Sequence, residues 1–322
     1  MTWKEAFLAS PGPDNLRSAG ILGLKGLLMG TADIIPGVSG GTIALITGIY
    51  QNLLGAIKSA DLKALRLLLR GDPKGALARL HLRFLLPLLT GIGTAILSLA
   101  RLVSYLLHHY PVVVWSLFSG LVAASVIVVA AKVSRWHLGV LGALASGLVM
   151  GWGIIHQVPI STPETWGFIF FSGMVAICAM ILPGISGAFV LVVMGKYAFI
   201  TGTLKNPLIP HHMAIIGVFC LGCLVGITLF SRLLHHLLAR SENPTMAFLT
   251  GLMAGVLPRL WPWQEIVDSR FIDGKLQVIA TRNVLPTDLN IALLAAILFI
   301  AGAGVVLAIE RLSRRRAAAA RA

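Results

Sequence analysis

The chain of 322 residues is 57% hydrophobic and only 12% charged, with a formal net charge of +14. Soluble domains carry charged residues at about a quarter of positions, so this balance, with several apolar runs near the ~20 residues that cross a hydrocarbon core, excludes an ordinary soluble fold. The positive charge does not point to nucleic acid, because Lys and Arg gather in loops beside apolar runs, where they report topology and contact with anionic membrane lipid. Residues 1–19 hold Lys4, Glu5, Pro11, Pro13, Asp14 and Arg17 without a clean apolar core. No cleavable signal peptide is expected there, but a segment on the cytoplasmic membrane surface. The apolar stretch 20–50 follows, interrupted by Pro36-Gly37-Val38-Ser39-Gly40, and then a basic loop, 57–83, with Lys58, Lys63, Arg66, Arg70, Lys74, Arg79 and Arg83. Spans are expected over 84–108, 112–131 and 138–155. A second interrupted stretch, 166–200, contains Pro183-Gly184-Ile185-Ser186-Gly187 and leads to spans over 213–238, 246–261 and 289–309, with a basic tail, 310–322.

The two interruptions are copies 147 residues apart: Gly20, Gly26, Ala32, Ile34, Gly48 and Tyr50 match Gly167, Gly173, Ala179, Ile181, Gly195 and Tyr197. A second register of 131 residues aligns Gly91, Arg101, Leu102, Gly120 and Leu121 with Gly222, Arg232, Leu233, Gly251 and Leu252. The difference fits an insertion in the basic loop. Each half, 20–155 and 166–309, then has one broken element and three spans, of which the third aligns poorly. If each broken element is a re-entrant hairpin (20–50 and 166–200), every half crosses an odd number of times and the second half is inverted. The excess of Lys and Arg supports this, since it places the basic loop, Lys132, Arg135 and the tail on the cytoplasmic side. The expected fold is an all-α polytopic membrane protein of two inverted repeats, one integrated domain with both termini inside.

A helix broken in lipid frees backbone N–H and C=O groups, which is tolerable only where protein or a water-filled cavity satisfies them. The two tips are therefore expected to meet inside the protein. A half-helix starting at such a tip offers N–H groups and a positive dipole end to phosphate or carboxylate. Ser39, Gly40, Gly41, Thr42, Ser186 and Gly187 are the candidate anion ligands, against the alternative that small residues merely let helices pack closely. Arg101 and Arg232 are repeat-equivalent charges within apolar spans, where a charge costs roughly 2.5 to 3.5 kcal/mol at the centre. They are candidates for forked hydrogen bonds to a phosphate, or else anchors that snorkel to the interface. Asp33 has no acidic counterpart, its equivalent being Met180, and is a candidate proton carrier or a structural group at the tip. The paired histidines at 108/109, 211/212 and 235/236 point to different helix faces and are expected at span ends, not as metal ligands. Cys220 and Cys223 lie within an apolar span and are expected as small packing residues. No cofactor or metal is expected.

The run Gly30-Thr31-Ala32-Asp33-Ile34-Ile35-Pro36-Gly37-Val38-Ser39-Gly40-Gly41-Thr42, continued by Gly48-Ile49-Tyr50, resembles the signature of a bacterial membrane family, the polyprenyl-phosphate transporters (PopT). The likeness extends over nearly the whole chain, including the second motif. It departs at Gln51, where an acid is expected, and at Ala188, where a serine is expected. The resemblance implies recycling of undecaprenyl phosphate, the lipid carrier of cell-envelope precursors, from the outer to the inner leaflet of the cytoplasmic membrane. Two other classes stay open on the residues alone. Gly37-Val38-Ser39-Gly40-Gly41 fits G-x-S-x-G, so an intramembrane serine hydrolase is one, although a nucleophilic serine needs a base and no histidine follows His236. A small-anion transporter or channel using the same tips is the other. The expected partner is a polyprenyl-phosphate lipid among bacterial membrane lipids, and the oligomeric state is left open.

Overall fold

The computed structural model describes residues 2–34, 39–59, 61–157, 162–203, 206, 209–272 and 275–319. The N-terminal segment is a short helix, α1 (Trp3–Ala9), started by a capping box in which the Thr2 hydroxyl accepts from the Glu5 N–H and the Glu5 carboxylate accepts from the Thr2 N–H. Arg83 ties the segment down by donating to the Leu8 carbonyl at 2.8 Å and pairing with Asp14 at 3.0 Å. The first interrupted stretch forms α2 (Leu16–Ile34), α3 (Gly40–Ile46) and α4 (Tyr50–Ser59). The basic loop is itself helical, with α5 (Leu62–Leu69) and α6 (Pro73–Arg79) joined by the Arg79–Asp61 ion pair at 2.7 Å. That guanidinium holds the Asp61 carboxyl well below the usual carboxylate range.

Three long helices follow, α7 (Leu82–His109), α8 (Pro111–Ala130) and α9 (Leu138–Ile155). The second half runs α10 (Trp166–Ile181), α11 (Gly187–Val193), α12 (Tyr197–Thr203), α13 (Pro210–Arg240), α14 (Glu242–Val256) and α15 (Leu289–Ala319). Proline opens α6, α8 and α13, where its missing N–H would have had no intrahelical partner. Among the described residues, five helices are long and apolar enough to cross a membrane: α7, α8, α9, α13 and α15. The chain is a polytopic helical membrane protein.

The sixth expected span, 246–261, is different. It is the 15-residue α14, extended by a 3-10 turn, Leu257–Leu260, which together reach about 30 Å at 1.5 and 2.0 Å per residue. Almost every residue of α14 from Thr245 to Val256 is buried, so it is a central strut with little surface for lipid. Between the expected spans 246–261 and 289–309 lies an antiparallel hairpin, β1 (Gln264–Ile272) and β2 (Lys275–Asn283). Part of its sequence signal was available: β-branched and aromatic residues stand on either side of Asp273-Gly274, a dipeptide suited to tight hairpin turns.

The helices pack in pairs, and the pairs repeat. α2 lies against α7 as α10 lies against α13, and each half's second long helix packs on the other half's third: α8 on α15, α14 on α9. Glycines set these contacts. A Cβ on Gly91 would collide with the Gly23 carbonyl, and one on Gly222 with the Phe170 carbonyl. Likewise Gly120 meets the Phe299 carbonyl and Gly251 that of Leu144, while Gly147 meets Phe248 and Gly302 meets Leu117. The third helices, which align poorly by sequence, come into register at 155 residues through Gly147 and Gly302. Such close backbone approach is how helices associate where lipid removes the hydrophobic drive between them. Gly251→Leu is therefore expected to destabilise by about 3 kcal/mol or more, since the obstructing atom is backbone. Gly93→Ala, inside α7 with nothing within 4 Å to meet, should leave the melting temperature in detergent the same or higher, because alanine is the better helix former.

Candidate functional site

The helices on either side of the two interruptions are arranged alike. α2 ends at Ile34, Pro36, Gly37 and Val38 of the first motif lie outside the described residues, and α3 then runs for one short segment beside α2. Gly48, at φ +74°, turns the chain into α4 with a bend of 117° between the two helices. In the second copy Gly184 breaks the chain at φ +89°, α11 packs back on α10, and Gly195, the repeat-equivalent of Gly48, turns it at φ +63°. Positive φ is open to glycine and strained for other residues, so both corners depend on it.

The two tips meet through side chains of the first half. Ser39 Oγ donates towards the carbonyls of Met180 at 3.3 Å and Leu182 at 3.4 Å, and the Tyr50 hydroxyl donates to the Ile181 carbonyl at 3.0 Å. Thr42 Oγ1 accepts from the Gly184 N–H at 2.9 Å. These are the carbonyls that α10 leaves open at its C-terminus, together with an N–H of the break itself. Ser39, Thr42 and Tyr50 are each at most 2% exposed. Among the described residues, no buried side-chain nitrogen or oxygen lacks a partner.

Gly40 and Gly41 present their N–H groups to their own tip. The Gly40 N–H donates to Asp33 Oδ1 at 2.7 Å and the Gly41 N–H to Ser39 Oγ at 3.1 Å. A carboxylate thus occupies the place where an external anion was expected. Gly41 also permits the approach of the other half, because a Cβ there would lie 2.8 Å from the Ile181 carbonyl oxygen. At the second tip Ser186 makes no side-chain capping bond, and Gly187 sits close against the Ala176 carbonyl of α10. Lysines stand at the other ends of the half-helices. Lys25 donates to the Thr47 carbonyl at 2.7 Å and Lys132 to that of Leu45 at 3.2 Å, both at the C-terminus of α3, where a cation is favoured. Lys196, 1% exposed, donates to the Thr162 carbonyl at 2.8 Å between the rings of Phe168 and Phe199.

Among the described residues, no contact brings Arg232 to the tips. Arg232 is exposed on α13 and has no hydrogen bond or ion pair among the described residues. Arg101 lies on α7, and its side chain is outside the described set. Sequence reasoning missed Tyr50 and Arg259 beside the tips, and Lys132 at the far end of α3. Arg259 lines a small pocket with Gly184, Ile185 and Ser186. Nothing in its local sequence marks it, since it reads as the polar end of an apolar run.

Two broken helices joined tip to tip inside a bundle of spanning helices define a membrane protein built around a buried polar junction. The chain matches the undecaprenyl phosphate translocase-like family over residues 29–276 and belongs to that family. It is 39% identical over 300 residues to the polyprenyl-phosphate transporter of Vibrio cholerae, covering 91% of this chain and 96% of that protein. It is 29% identical over 256 residues to the polyprenyl-phosphate transporter of Staphylococcus aureus, covering 74% and 85%. No solved structure matches it.

The junction makes a direct prediction. Thr42→Val keeps the shape of the side chain but removes the acceptor of the buried Gly184 N–H, which should cost about 1–3 kcal/mol. Thr42→Ser should retain most of the stability. Thermal unfolding of both variants in the same detergent measures the difference.

Proposed function

We propose that this protein translocates a polyprenyl phosphate, undecaprenyl phosphate being the foremost candidate, from the outer to the inner leaflet of the bacterial cytoplasmic membrane, so recycling the lipid carrier of envelope synthesis. The observation that carries the reading is the meeting of two broken helices at a buried polar junction, in a family and beside relatives named for this lipid. A lipid phosphate needs a polar route for its head while its tail stays in hydrocarbon. Two repeats of opposite orientation, rocking about the junction, would expose that route to each leaflet in turn. Arg101 and Arg232 would meet the phosphate along the way, with Ser39, Gly40, Gly41, Thr42, Ser186 and Gly187 forming the tips it passes. The serine hydrolase reading draws no support from the first tip, where the Ser39 hydroxyl faces carbonyls and accepts from the Gly41 N–H.

In proteoliposomes the protein should move undecaprenyl phosphate and leave inorganic phosphate behind. Uptake of inorganic phosphate alone would replace this reading by a small-anion transporter. Arg101→Ala and Arg232→Ala should each abolish translocation without loss of folded protein, and lysine should restore it only in part, because it keeps the charge but loses the planar fork. Normal transport by both alanine variants would leave the arginines as interfacial anchors. With both termini cytoplasmic, Ser59→Cys should label only from inside and Ser161→Cys only from outside; labelling of Ser59→Cys from outside, or of Ser161→Cys only from inside, would contradict this topology.

Inward movement of a phosphate runs against an inside-negative potential, at about 2.3 kcal/mol per charge per 100 mV if the whole field is crossed. A co-moving proton offsets that cost, and Asp33, which holds the Gly40 N–H, is the proposed carrier. Asp33→Asn should then transport without dependence on an imposed pH gradient while still binding the lipid. Wild-type gradient dependence in that variant would make Asp33 a structural group only.

A further inference from the structure

Arg232 is not isolated on its helix. His236 and Arg240 follow it at intervals of four residues, so the three share one face of α13, and all three are exposed. None of them has a hydrogen bond or ion pair among the described residues. Further back on the same face stand Leu221 and Leu229, both exposed, as suits a helix that meets lipid. A cation that only offsets the helix dipole belongs in the last turn, where Arg240 is; Arg232 lies two turns deeper, about 12 Å at 1.5 Å per residue. Ser134 donates its N–H and its hydroxyl to Asn243 Oδ1 at 3.0 and 3.1 Å, which sets this end of α13 beside Lys132 and Arg135, on the side that the charge pattern assigns to the cytoplasm. Next to the cations, Phe230, Leu233, Leu234 and Leu237 line a wholly apolar cleft of about 320 Å³ with Met150 and Phe248 of α9 and α14. One helix therefore presents open donors on one face and an apolar cleft on the adjoining one.

We infer that this end of α13 is the inner-leaflet docking site of the lipid substrate, with Arg232, His236 and Arg240 receiving the terminal phosphate of a polyprenyl phosphate and the cleft receiving the isoprenoid chain nearest to it. The inference rests on the function proposed above and adds His236 and Arg240 to the site. Charge complementarity selects the occupant: a phosphate monoester carries about −1.5 to −2 charges near neutral pH, enough to engage two guanidinium groups at once through charge-assisted hydrogen bonds. Bulk phospholipids hold their diester phosphates at the interface, level with Arg240 and out of line with the deeper Arg232. A second copy docked on this face about a two-fold axis along the membrane normal would bring like charges together, which disfavours it. At the first tip, by contrast, the Gly40 N–H is already taken by Asp33 and the Ser39 hydroxyl faces carbonyls.

The test is binding of undecaprenyl phosphate and of uncharged undecaprenol to the full chain in phosphatidylcholine nanodiscs. The double variant His236→Ala, Arg240→Gln should weaken undecaprenyl phosphate by about tenfold or more, as loss of charge-assisted hydrogen bonds does, and leave undecaprenol unchanged. Met150→Trp, which fills the cleft from α9, should weaken both lipids. Unchanged binding of undecaprenyl phosphate by the double variant overturns the head-group assignment, and unchanged binding by Met150→Trp overturns the cleft. Phosphatidylglycerol that competes as well as undecaprenyl phosphate would make the face a general anionic-lipid site, and a changed oligomeric state of the double variant on size exclusion would make it a contact between copies; either result overturns the inference. Melting profiles establish that the variants are folded, and if the double variant is not, Arg240→Gln alone decides, wild-type affinity there overturning the assignment. Wild-type protein that neither binds nor moves undecaprenyl phosphate would remove the proposed function itself, whereas wild-type binding and transport retained in the double variant would remove only this inference.

Discussion

A helix interrupted within an apolar bundle must find partners for the backbone groups it releases, and the arrangement of this protein follows from how those partners are supplied. The carbonyls at the end of α10 and the N–H of Gly184 are satisfied by Ser39, Thr42 and Tyr50, side chains from the opposite half of the chain. Neither broken element is therefore complete alone. The bonds are few, but each closes a buried polar group that would otherwise cost about 1–3 kcal/mol, so they fix which surfaces of the two halves face one another.

Around the junction the helices interleave instead of forming two separate bundles. Pairing of α8 with α15 and of α14 with α9 carries contacts across the halves, and glycine at each crossing brings backbone against backbone. Parting such an interface would forfeit the dispersion contacts that the close approach gains. α14, shorter than its neighbours and enclosed on nearly every side, passes directly into the 3-10 turn that holds Arg259.

The electrostatics are less symmetric than the backbone. Lys25 and Lys132 close the C-terminus of α3, while at the far end of α11 the Met194 carbonyl is met by Thr162, which in turn accepts from Lys196. The tips diverge further, with a carboxylate at one and a guanidinium beside the other. Duplication supplied two equivalent frameworks, and single residues outside the repeated motif gave them different charge.

Membrane residence, the two broken stretches and the recurrence at 147 and 131 residues were all legible in the sequence, because small residues at fixed spacing and apolar runs of spanning length are local properties of the chain. Leu138–Ile155 could be bounded from apolar content alone. That the tips would meet also followed, from the single physical demand that broken backbone be satisfied. Which atoms would do so was not legible: Tyr50 reads as an aromatic at a helix start and Arg259 as the end of a span, and only the packing of one half on the other brings them to residues 131 and 73 positions away, Ile181 and Ser186 respectively. The 155-residue register of the third helices was hidden for the same reason, since it is kept by close approach at Gly147 and Gly302 while the surrounding side chains differ. Local pattern determined the elements and their duplication; the tertiary structure decided their partners, because a hydrogen bond or a glycine contact is defined by two surfaces and the sequence displays them one at a time.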